Sequence, residues 1–166
     1  MSSQAQMQAI IRPQRGVTPA IPGERDPGEA IAVPRPMRRA FGGEISQVPL
    51  VRDFIRRYLA GWPCPSAAVE DILLCATELA SNAVRHSRSG LPGGHVAVQV
   101  TVRPGEWVEV AVEDAGGQWA KRDPGDDAEY GRGLRIVSAL SAEAGVITGG
   151  FGRAVWFRCP WNPQEA

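Results

Sequence analysis

Between residues 96 and 112 the hydrophobic pattern of this chain changes period, and that change limits what it can fold into. Val96, Val98, Val100 and Val102 alternate with Ala97, Gln99 and Thr101. Pro104-Gly105 then makes a turn, and Val108, Val110 and Val112 return with the same alternation. Period two in β-branched residues predicts a half-buried hairpin. A hairpin with one apolar face is not stable alone and needs a second layer against that face.

The preceding sequence supplies that layer. Ser46 is a plausible N-cap, and Leu50, Val51, Phe54, Ile55, Tyr58 and Leu59 recur with helical period until Gly61, Trp62 and Pro63. Ser66 starts a second helix with the stripe Val69, Ile72, Leu73, Ala76, Leu79, Ala80 and Ala83, closed by Gly90 and Pro92. After the hairpin comes a polar loop from Gln118 to Tyr130. A helix beginning at Gly133 follows, with Leu134, Val137, Leu140 and Ala144 on one face. Val146 to Thr148 and Arg153 to Phe157 form a last hairpin across Gly149, Gly150 and Gly152. The order helix, helix, hairpin, helix, hairpin predicts an α+β two-layer sandwich, with helices on one face of a mainly antiparallel sheet.

Residues 1–38 are rich in Gln, Pro, Gly and Arg and show no sustained apolar period, which predicts a disordered tail. It reads as a solvated linker or as a partner-docking arm. Residues 39–160 form the expected domain and 161–166 a short C-terminal tail. The charge balances, with 18 basic and 18 acidic residues, so no global field points to nucleic acid. No stretch reaches the roughly 18 apolar residues of a membrane span, and no continuous signal-peptide core stands at the N-terminus. Cys64, Cys75 and Cys159 lack metal-ligand spacing and read as reduced thiols. The expectation is a soluble, cytoplasmic protein.

Three short constellations carry chemistry. Glu78 and Asn82, four residues apart, project from one face of the second helix. The amide offers a neutral oxygen to a hard cation, and the carboxylate is able to orient or deprotonate a hydroxyl. In Glu113-Asp114-Ala115-Gly116-Gly117, an acidic strand end precedes glycines. Asp114 can accept a hydrogen bond from an exocyclic amine, and Gly116 permits close backbone approach. Gly131-Arg132-Gly133-Leu134, at a helix start, makes an anion site from backbone N–H groups. It has neither the lysine and Ser/Thr of a P-loop nor the glycine spacing of a dinucleotide fingerprint.

Taken in order, these segments resemble the GHKL ATPase/kinase superfamily, whose nucleotide site is the Bergerat fold. "ELASNAVRHS" at 78–87 is similar to its N-box, "VEDAGG" at 112–117 to its first glycine box, and "GRGLRIV" at 131–137 to its second. The resemblance covers roughly residues 40–160 and is strongest to the stand-alone anti-sigma-factor serine/threonine kinases of bacteria. It implies that Asn82 coordinates Mg²⁺ and that Glu78 is the general base or water-orienting carboxylate. It also implies that Asp114 reads the adenine amino group beside Gly116. Gly131, Arg132, Gly133 and Leu134 would hold phosphates under a lid at residues 118–130. Arg132 and Arg153 are candidates for the γ-phosphate, and His86 either borders the pocket or is satisfied by nearby carbonyls. The first glycine box departs from the family pattern by reading Asp-Ala-Gly-Gly, and the lid is short and acidic.

The function this implies is transfer of the ATP γ-phosphate to a Ser or Thr of an anti-anti-sigma-like partner, with sequestration of a sigma factor and homodimerisation. A nucleotide-responsive binding module with little or no catalysis is the alternative. A histidine kinase is disfavoured because no histidine precedes residue 39.

Overall fold

The computed structural model describes residues 35–117, 127–150 and 152–161. The chain runs β1 (Met37–Gly42), α1 (Val48–Leu59), α2 (Ser66–His86), β2 (His95–Arg103), β3 (Trp107–Asp114), α3 (Asp127–Leu140), β4 (Glu143–Gly149) and β5 (Gly152–Pro160). The five strands form one antiparallel sheet in the order β1-β2-β3-β5-β4. This is the expected α+β sandwich.

The valine alternation sets the inner face of the sheet. Val96, Val98, Val100, Val102, Val108, Val110 and Val112 are all buried, as are Phe157 and Cys159 of β5. Register keeps them together, with Val98 opposite Val112, Val100 opposite Val110, and Val110 opposite Phe157. The β2–β3 turn follows its chemistry: Glu106 N–H donates to Arg103 C=O at 3.0 Å, and Gly105 takes φ 78° behind Pro104. Val51, Phe54, Ile55 and Leu59 of α1, and Ile72, Leu73, Ala76, Leu79, Ala80 and Ala83 of α2, close this core. Each fully buried Val or Leu contributes about 1.5–3 kcal/mol of transfer free energy. The small side chains Ala76, Ala80 and Ala83 let α2 lie close to the sheet.

Several boundaries differ from the sequence expectation. A strand, β1, begins at Met37, inside the stretch read as a tail; residues 1–34 lie outside the described residues. Only Phe41 of β1 is buried, packed edge-on against Phe54 at 5.7 Å. A strand with one inward residue has no alternation to read. The second helix ends at His86, and Arg88–Gly90 forms a separate 3-10 turn. Trp161, expected in the C-terminal tail, is buried in the core.

The largest difference is at α3. It begins at Asp127, six residues before the expected start at Gly133. Ala128 and Glu129 are good helix formers, and acidic residues are favoured in a first turn, so the polar segment joins the helix instead of remaining loop. The expected lid therefore divides: 127–130 are helical, and 118–126 lie outside the described residues.

Candidate functional site

Helix α2 runs beneath the sheet and presents Glu78 and Asn82, both half-buried, toward α3. They meet α3 at Gly133. A Cβ placed there would lie 2.5 Å from Glu78 Oε2 and 3.5 Å from Asn82 Nδ2. Gly133 is thus the position that lets the two helices approach over a carboxylate and an amide. Asn82 Nδ2 is buried and has no hydrogen-bond partner among the described residues. An orphaned buried amide costs about 1–3 kcal/mol, so a further partner at Asn82 would be stabilising.

Asp114 ends β3. One of its carboxylate oxygens, Oδ1, accepts the Gly116 N–H at 2.7 Å. The other, Oδ2, accepts Nε and Nη2 of Arg153 at 3.1 and 2.5 Å. Arg153 faces Asp114 directly across the β3–β5 ladder. Both side chains are nearly inaccessible, 1% exposed for Asp114 and 7% for Arg153. Gly116 sits at φ 60°, a conformation that favours glycine, and its backbone lies against that of Gly152. A Cβ at Gly152 would run into the Asp114 carbonyl oxygen.

A turn joins these two parts. Ser87 Oγ donates to Ala83 C=O at 2.7 Å and accepts the Ser89 N–H at 3.0 Å, closing the end of α2. Arg88 N–H then donates to Gly116 C=O at 2.8 Å, and its guanidinium donates to Ala115 C=O through Nη2 at 2.9 Å. Ser89, fully buried, accepts the Ala115 N–H on its hydroxyl at 2.9 Å. The helix that carries Glu78 and Asn82 is thereby fastened to the glycine segment that follows Asp114. Sequence reasoning missed Ser87, Arg88 and Ser89 as positioning residues, and it missed the pairing of Arg153 with Asp114.

The glycines of α3 are placed differently from expectation. Gly131 and Gly133 lie inside the helix, beyond the first four N–H groups that lack an intrahelical acceptor, so their N–H groups are engaged with the preceding turn. Arg132 is exposed. Leu134 is 2% exposed and packs in the core. The structure brings Glu78, Asn82 and Gly133 together in one group, and Asp114 and Gly116 together in another. His86 is the last residue of α2.

The donor set suits a hard cation. Rotating the Asn82 amide by half a turn puts its oxygen where the unpartnered nitrogen stands. Among the described residues no group of three or more His, Cys, Asp or Glu converges to hold a metal. A cation here would therefore take most of its ligands from phosphate and water, which is the habit of Mg²⁺. Among the described residues, no helix is long and apolar enough to cross a membrane.

The model of the histidine kinase-like ATPase domain matches residues 41–159. Two solved structures share the fold. The RsbU and RsbW domains of Rv1364c from Mycobacterium tuberculosis align with a TM-score of 0.59 and 21% identity, over 76% of this chain and 32% of that one. This chain thus spans about a third of the length of that neighbour. The SiaB–SiaC complex from Pseudomonas aeruginosa aligns with a TM-score of 0.51 and 14% identity, over 75% of this chain and 88% of that one. No curated protein matches the chain significantly.

Proposed function

The chain belongs to the family of histidine kinase-like ATPase domains, and from that premise we propose that it is an ATP-binding serine/threonine protein kinase of the anti-sigma-factor type. It transfers the γ-phosphate of ATP to a Ser or Thr of an anti-anti-sigma-like partner and sequesters a sigma factor when that partner is unavailable. It works as a cytoplasmic homodimer, with the activity in residues 39–160. A neighbour of the same fold was solved in a complex with a second protein, SiaC, which supports a protein partner.

The observation that carries the reading is the meeting of Glu78, Asn82 and Gly133 around an unpartnered buried amide. In this assignment Asn82 holds Mg²⁺, which would neutralise phosphate charge during transfer. Glu78 accepts the proton of the attacking hydroxyl as its oxygen bonds to the γ-phosphorus and the bond to the leaving ADP breaks. Asp114 accepts the adenine amine, and Gly116 keeps the ring's approach clear of side chains. Gly131, Arg132, Gly133 and the backbone of Leu134 line the phosphate end. For the N–H groups of Gly131 and Gly133 to serve, the first turn of α3 has to open, since the helix holds them.

Calorimetric titration with ATP and Mg²⁺ tests the pocket. Asn82→Ala is expected to lose Mg²⁺-dependent affinity by about tenfold or more, equivalent to about 1.4 kcal/mol. Glu78→Ala is expected to bind nucleotide and fail to phosphorylate the partner. Full phosphotransfer by Glu78→Ala would remove its assigned role.

The engaged state of the α3 glycines favours a second reading, a nucleotide-responsive binding module with little catalysis. Phosphorylated partner that forms with the unmutated protein and is lost with Asn82→Ala decides for the kinase.

A further inference from the structure

The carboxylate assigned to the base is already in use. Asp114 Oδ1 accepts the Gly116 N–H, and Oδ2 accepts two N–H groups of Arg153, with the Asp114 side chain 1% exposed. A guanidinium N–H and the exocyclic amine of a purine both donate to a carboxylate oxygen, the guanidinium with a positive charge that strengthens its bond and the amine without one. We propose that Arg153 is a resident competitor for the base: it occupies Asp114 in the nucleotide-free protein, and an amino-purine binds by replacing it there. The proposal rests on the reading of Asp114 as the base-recognition residue.

Three features make the exchange possible. Arg153 reaches Asp114 straight across the ladder, at the outer end of both strands, where β3 gives way to Ala115-Gly116-Gly117 and β5 begins at Gly152. The turn that follows β4 has room around it, since a Cβ at Gly149 or Gly150 would meet nothing within 4 Å. On the other side, the backbones of Gly116 and Gly152 lie close together with no side chain of their own between them. The apparent affinity is then the intrinsic affinity multiplied by the fraction of molecules in which Arg153 has left Asp114. The same exchange sharpens base choice. A purine with a carbonyl in place of the amine brings an acceptor to that carboxylate oxygen and loses the hydrogen bond that would replace the guanidinium's.

Two measurements test this. In the unmutated protein labelled with ¹⁵N, the Arg153 Nε–H resonance, assigned by its loss in Arg153→Lys, is expected to shift or exchange-broaden on titration with AMP and to stay in place with IMP. By calorimetry, Arg153→Ala is expected to bind AMP at least about tenfold more tightly than the unmutated protein, with fold verified by circular dichroism. If AMP binds while the Nε–H signal is unmoved, or if folded Arg153→Ala binds no more tightly, Arg153 is a fixed support and the exchange is wrong, with the pocket intact. If AMP binds to neither protein, the base-recognition reading itself falls, and the exchange with it. Should Arg153→Ala fail to fold, the resonance measurement decides alone.

Discussion

Gly133 of α3 stands over the carboxylate of Glu78: a methyl group added there would come within 2.5 Å of Oε2, while the Asn82 amide would remain in ordinary contact at 3.5 Å. The glycine therefore constrains one specific side chain, and its substitution separates chemistry from folding. Alanine in a helix interior is favoured over glycine by about 1 kcal/mol. Glu78 has to turn away to admit the methyl. We expect Gly133→Ala to leave the thermal midpoint unchanged or raised, and to lower phosphotransfer by about tenfold or more through misplacement of Glu78. Parallel melting curves and single-turnover assays check both halves. A variant that melts early would mean that the glycine serves helix packing alone.

Asp114 and Arg153 form the buried charge pair of the sheet end. Removing one partner of such a pair leaves the other charge without compensation, at a cost of about 3–5 kcal/mol. Asp114→Asn should therefore reduce the urea midpoint markedly, besides weakening nucleotide binding. Its binding has to be measured well below its melting temperature. Equilibrium unfolding of Asp114→Asn beside Asp114→Asn/Arg153→Met makes the test sharper, since the double variant buries no lone charge and is expected to recover much of the loss. Equal stability of the two variants would show that the charge pair is not what holds this end.

How far the sequence predicted this site depends on whether the deciding contact is local. Glu78 and Asn82 share a helix face by spacing alone, and the valine alternation predicts β2 and β3 and which face is inward. The partner of Asp114 is different. It follows from β5 inserting between β3 and β4, and then from the register that sets Asp114 against Arg153. Neither is encoded by any short-range pattern. The Ser87-Arg88-Ser89 turn is similar: its serines look like ordinary helix-end residues until Ala115 and Gly116 are brought against them. At Asp127 the failure has another cause, because acidic and small residues are as much at home in a first helical turn as in a polar loop. Local preference there was ambiguous.

The cysteines, scattered in sequence, lie in or against one core. Cys75 and Cys159 are fully buried, and Cys159 Sγ donates to Leu140 C=O at 3.5 Å. Its thiol is pushed up by hydrogen bonding with Cys75 and by burial, and burial also pushes up Cys64, which is half-buried. Raising a thiol's pKa removes thiolate, the reactive form, at neutral pH. With a disulfide reagent at about pH 8, the native protein should show slow modification, Cys64 ahead of the other two. All three should react at once in denaturant. Rapid labelling of Cys159 in the native state would contradict its placement between α2, α3 and the sheet.

On the outer face of the sheet, Arg38 of β1 reaches across β2 to Glu113 of β3, donating from Nε at 3.2 Å and Nη2 at 2.7 Å to the two carboxylate oxygens. That hydrogen bonding holds Glu113 below the usual carboxylate range, with the attraction of the guanidinium assisting and partial burial opposing. A carboxyl whose pKa is lowered by folding adds stability that is fully present above its unfolded value, about 4.3, and lost as the pH falls through its folded value. Both side chains are about half exposed, 52% and 40%, so the pair is worth at most about 1 kcal/mol and weakens with salt. The expected signature is a small gap in urea midpoint between the unmutated protein and Glu113→Gln at about pH 7. It should close as the pH is taken down past the folded value of Glu113, and shrink at neutral pH when salt is added. A gap that persists at low pH would assign the contribution of Glu113 to packing of its stem against the sheet instead of to its charge.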